Sequence, residues 1–71
     1  MKLHYYPDTD SLYIELSSKP GSDAREIGDG VVADFDDQGN IVGIDIDHAT
    51  TKLDLTSLET VELPVKTIRT A

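Results

Sequence analysis

Residues 31 to 47, VVADFDDQGNIVGIDID, alternate between apolar and polar side chains on both sides of an acidic turn. No other feature constrains the fold as tightly. Period two is the side-chain repeat of a β-strand and is incompatible with a helix. Val31, Ala33 and Phe35 alternate with Val32, Asp34 and Asp36. Past the turn, Val42, Ile44 and Ile46 fall on one face, and Ile41, Gly43, Asp45 and Asp47 on the other. The turn itself is Asp37, Gln38, Gly39 and Asn40. Glycine at position 39 supplies the positive φ required by a type I turn followed by a bulge. The whole stretch reads as a β-hairpin.

A second hairpin precedes it. KLHYY, residues 2 to 6, is a β-prone run, followed by Pro7, Asp8, Thr9 and Asp10. Proline presets φ for the second turn position, and aspartate side chains bond nearby backbone N–H groups. SLYIELS, residues 11 to 17, then places Leu12, Ile14 and Leu16 opposite Ser11, Tyr13, Glu15 and Ser17. Between the hairpins, residues 19 to 24 have loop composition. A short edge segment is predicted around Arg25 to Ile27, broken by Gly28 and Gly30.

The period changes after Asp47. A helix is predicted over about residues 54 to 60, capped by Asp54 or Thr56, with Glu59 completing a capping box from Thr56. Leu55 and Leu58 would share its buried face, and Pro64 would end it. Residues 64 to 71 are expected to form a terminal strand or an arm. The fold class that follows is α+β. Two β-hairpins form a small, mostly antiparallel, four-stranded sheet, covered by a short C-terminal helix. Leu12, Ile14, Leu16, Val42, Ile44 and Ile46 face its core, with one of the alternating sets from 31 to 35.

With 71 residues, the chain is expected to be one small domain, near the lower limit for an independent core. It has no cysteine, which excludes disulfides and thiolate metal sites and suits a reducing cytoplasm. Fourteen acidic residues against six basic ones give a formal charge of −8. A field of that sign repels nucleic acid and anionic membrane and attracts a basic protein or a divalent cation. No apolar run approaches the roughly 20 residues of a membrane span, and a cytoplasmic protein is expected.

The acidic hairpin also has calcium-loop spacing. Asp34, Asp36, Gln38, the Asn40 carbonyl, Val42 and Asp45 fall at the six ligand places, with Gly39 at the bend. However, an EF-hand loop needs a helix on each side, and both flanks here alternate as strands. Ladder bonding would hold Asp34 and Asp45 apart. A weaker cation site beside the turn would draw on Asp34, Asp36, Asp37 and Asp47. His4 and His48 lack short-range ligand spacing and read as ordinary histidines. No nucleophile-elbow or Ser-x-x-Lys motif surrounds the serines. Gly28 and Gly30 lack the rest of a phosphate loop. Neither a catalytic site nor a cofactor is expected. Tyr5, Tyr6 and Tyr13 are the interaction candidates, with Tyr6 and Tyr13 placed to meet across the first hairpin. Aromatic cross-strand pairs stabilise a sheet, and tyrosine is enriched at interfaces.

YYPDTDSLYIEL followed by GVVADFDDQGNIVGIDI resembles a paired motif: Tyr-x-Pro with an acidic turn and Leu-Tyr-Ile, then a strand, an Asp-x-x-Gly turn and Val-Gly-Ile. At this spacing the pair is similar to a family of small bacterial and phage proteins, domain of unknown function 2283. The resemblance covers about residues 4 to 50. Asp45 departs from it, since the family pattern often has glutamate there. The resemblance implies that Tyr6, Pro7, Leu12, Tyr13, Ile14, Gly39, Gly43 and Ile44 are fold determinants, and it implies no activity. Some members resemble the antitoxin half of toxin–antitoxin pairs. The expectation is an interaction module, antitoxin-like, acting as a homodimer or higher oligomer through a sheet edge, the tyrosine face or the tail. Its further partner would be a small basic protein. The alternative is a divalent-cation-binding protein using residues 34 to 47.

Overall fold

The structure, a computed structural model, describes residues 1–70. Its centre is a five-stranded antiparallel sheet with the order β1-β2-β5-β4-β3. The strands are β1 (Lys2–Tyr6), β2 (Ser11–Glu15), β3 (Asp23–Gly28), β4 (Val31–Phe35) and β5 (Ile41–Ile46). The two expected hairpins are β1–β2 and β4–β5, and they join through β2 and β5. The four-stranded expectation is corrected to five. The segment expected as a fragment at 25 to 27 is a full edge strand, paired with β4 along its length with one irregularity between Glu26 and Gly28. DAREIG carries little apolar alternation because both faces of this strand are exposed. Backbone pairing with β4 defines it.

Local chemistry builds the hairpin turns. Gly39 has φ 81°, and the loop closes through Asp36 N–H to the Asn40 carbonyl at 2.8 Å. The Asp36 carboxylate accepts the backbone N–H groups of Gln38 (3.0 Å) and Asn40 (2.8 Å), so an acidic side chain organises its own turn. The first turn ends with Asp10 in the left-handed region, φ 53°.

Register sorts the side chains. Leu12 faces Ile46, Ile14 faces Ile44, Val31 faces Ile46 and Ala33 faces Ile44. Val31, Ala33 and Phe35 are thus the set from 31 to 35 on the apolar face, joined by Leu3 and Tyr5 from β1. Leu12, Ala33, Val42, Ile46 and Ala49 are buried, whereas Ile14, Val31 and Ile44 are half-buried and pack against Leu12, Ile46 and Ala49. Among the described residues, no large side chain is completely enclosed.

The helix is also corrected. It is the single turn α1 (Ala49–Lys52), and the residues expected to be helical at 54 to 60 are not. Ala49 anchors α1 on Leu12 and Ile46, and Leu53 leaves it with extended backbone. Asp54 does bond forward to the N–H of Thr56, as a cap would. Nothing propagates from that bond, because Thr, Ser and Val dilute the helix formers and Leu58, on the rim of an open groove, stays 75% exposed. Residues 64–70 form no strand, and Ala71 lies outside the described residues. Among the described residues, no helix is long and apolar enough to cross a membrane.

Candidate interaction surface

The face of the sheet away from α1 is polar and aromatic. β1 contributes Lys2, His4 and Tyr6, and β2 contributes Ser11, Tyr13 and Glu15. β5 adds Gly43 and Asp45, and β4 adds Val32 and Asp34. The expected Tyr6–Tyr13 meeting is replaced by a different arrangement. Tyr13 lies opposite His4 and Tyr6 opposite Ser11. His4 stacks on Tyr6, with ring centroids 4.3 Å apart and planes 4° from parallel. Both rings are exposed.

Tyr13 crosses the sheet in the other direction. Its hydroxyl donates to the Asp34 carboxylate at 3.0 Å, so the ring bridges β2 to β4 over β5. It can do so because position 43 has no side chain. A β-carbon built on Gly43 would collide with the Tyr13 ring and hydroxyl. Burial and then the Asp34 bond push the Tyr13 phenol up from its ordinary pKa, with added push from the charges of Asp34, Glu15 and Asp45. Three carboxylates therefore surround one half-buried phenol.

Tyr5 is placed elsewhere. Adjacent residues of a strand point to opposite faces, so Tyr5 sits on the apolar face opposite Leu12. Its hydroxyl donates to Asp10 at 2.8 Å, and that bond is the main cause of its raised pKa. Asp10 also accepts from the Thr50 hydroxyl at 2.8 Å, and its backbone carbonyl accepts the N–H of Ala49 at 2.8 Å. These bonds make Asp10 the cap of α1 from the first hairpin turn, a role sequence reasoning missed. The Thr50 hydrogen bond leads in lowering the Asp10 pKa.

The four carboxylates considered for a cation are engaged separately. Asp34 accepts from Tyr13 on the polar face. Asp36, 6% exposed, is bonded to its own turn, and the Asn40 N–H leads in lowering its pKa. Asp37 is exposed at the tip of the loop. Asp47 pairs with Lys52 and His48 beside α1, and the Lys52 bond leads in lowering its pKa. Among the described residues, no three His, Cys, Asp or Glu side chains are grouped as metal ligands.

The geometry of these two faces is carried by residues 2 to 49, from β1 to the first residue of α1. No curated protein and no solved structure matches the chain. A family model described as a protein of unknown function, DUF2283, matches residues 2–49, and the chain belongs to that family.

Proposed function

We propose that the protein is an interaction module that works as a homo-oligomer and presents its polar sheet face to a basic protein. One observation carries this reading: the His4–Tyr6 stack and Tyr13 share a face with Glu15, Asp34 and Asp45. Aromatic rings supply contact area at low entropic cost, and the surrounding carboxylates steer a cationic partner and select its sign. The net charge of −8 adds long-range attraction of the same sign. An antitoxin-like role, in which an acidic regulator masks a small basic protein, is the specific form of this proposal. No catalytic role belongs to it.

The test is capture from the native cell with the tagged chain, at low and high salt, beside a Glu15→Lys/Asp45→Lys variant. The expected result is one stoichiometric basic protein, retained at low salt, weakened at high salt and absent from the variant. Retention by the variant equal to that of the natural chain would remove the polar face from the proposal.

A further inference from the structure

The apolar face and residues 53–70 remain uncovered on a scale that a lone chain of this size does not show. The accessible surface is 5821 Å², whereas a compact chain of this mass exposes about 4,400 Å². The radius of gyration is 13.0 Å, against about 11 Å for a compact domain of the same length. The surplus is concentrated in identifiable places. After α1 the chain runs along the β1–β2 end of the apolar face, and Leu53, Leu55 and Leu58 face Leu3 and Leu12 across an open groove. Beyond the groove, Val61 is 75% exposed and Ile68 is 69% exposed.

We infer that this groove is filled by a second copy of the chain, with the 59–70 segment of each copy lying across the apolar face of the other. The inference deepens the homo-oligomer part of the proposed function and rests on it. Two further observations select a second copy over a basic partner. The strand residues of the apolar face carry no net charge, since Asp23 and Arg25 pair with each other at its far edge (3.4 Å), and the groove is lined by one carboxylate, Asp54. A single carboxylate gives a strongly basic protein little to hold, and it suits an arm that carries as many basic as acidic residues. The arm also complements the body of another copy. Residues 59–70 carry Glu59 and Glu62 against Lys66 and Arg69, so the docking segment is formally neutral, with its basic half in residues 64–70. The area agrees as well. The surplus is about 1,400 Å² per copy, above the roughly 800 Å² per partner of a standard interface and within the obligate range.

The experiment is sedimentation equilibrium of the full chain at micromolar concentration, with a Val61→Asp/Ile68→Asp variant beside it. Both side chains are in solvent in the single chain, so the substitutions disturb only what association covers. The expected result is twice the 7.8 kDa chain mass for the natural protein, and a monomer with unchanged sheet circular dichroism for the variant. A Val61→Ser/Ile68→Ser pair gives the same readout if the aspartate pair does not fold. A monomeric natural chain overturns the inference, and so does a dimer that survives in the folded arm variant, which would place the contact at a sheet edge. Glu15→Lys/Asp45→Lys should remain dimeric. Its loss of the basic partner alone therefore separates failure of the polar-face reading from failure of this one.

Discussion

Tyr13 and Gly43 form a pair in which the bulk of one requires the absence of the other. A methyl group at position 43 would occupy space taken by the Tyr13 ring. Gly43→Ala should therefore destabilise the fold by about 1–3 kcal/mol, the usual cost of overpacking, as read from urea unfolding. The cost should largely vanish in a Tyr13→Ala background, because the collision is then gone. Additive effects of the two substitutions would mean that the ring does not lie over Gly43. Asp36 gives a residue-scale prediction of another kind. Its carboxylate is held charged by two backbone N–H groups, so its folded pKa lies below the unfolded value. The stability it adds is full above the ordinary carboxylate pKa and is lost as pH falls through the lowered folded value. Asp10, Asp47 and Asp54 act in the same direction. The thermal midpoint should fall as the solution is acidified from pH 5 towards about pH 3. Asp36→Asn should make that fall shallower, since an amide oxygen still accepts both bonds but no longer titrates. An equally steep fall in the variant would assign the acid sensitivity to Asp10, Asp47 and Asp54 instead.

The helix α1 is a four-residue element that depends on a residue 40 positions away, Asp10. A single turn has no stability of its own. Asp10→Ala should release it, and hydrogen exchange at Ala49 and Thr50 should accelerate while the amides between β2 and β5 keep their protection. Equal protection at Thr50 would show that the Ala49–Asp10 backbone bond and packing on Leu12 and Ile46 suffice without the carboxylate. Gly30 guards the other side of the same corner. It has φ 68°, and Asp47 and Lys52 lie over the place of its missing β-carbon. Gly30→Ala should cost at least the roughly 1–2 kcal/mol of a left-handed non-glycine residue. These elements also show what could be read from the sequence. The turn at 36–40 was legible because its chemistry is local: an aspartate, a glycine and two alternating flanks. The separation of Tyr5 from Tyr6 and Tyr13 was implicit in parity alone. The helix was placed at 54–60 instead of 49–52 because its cap comes from a distant turn, and only the folded sheet brings Asp10 to it. The seat of Tyr13 on Gly43 was hidden for the same reason, since it depends on the register between β2 and β5. The edge strand β3 was only partly legible because a strand exposed on both faces needs no apolar alternation.

At the scale of the whole molecule, the sheet has one face with chemistry and one face with unburied apolar surface. The core is thin. Among the described residues, two of the five buried apolar ones are alanines, and Ile14, Val31 and Ile44 keep partial contact with water. A chain of this size with so little enclosed apolar area is marginal alone. If the second copy supplies the missing burial, folding and association are one equilibrium, and stability must depend on protein concentration. Each tenfold rise in concentration adds about 1.4 kcal/mol to a dimer. Spread over the unfolding entropy of two such chains, that raises the thermal midpoint by about 5 °C. A monomer's midpoint does not move. Calorimetry across two decades of concentration should therefore show an upward drift of about 10 °C. The same scan of Val61→Asp/Ile68→Asp should show a lower midpoint that no longer drifts. A natural chain whose midpoint is independent of concentration would mean that the thin core stands by itself, and that the apolar surface serves something other than a second copy.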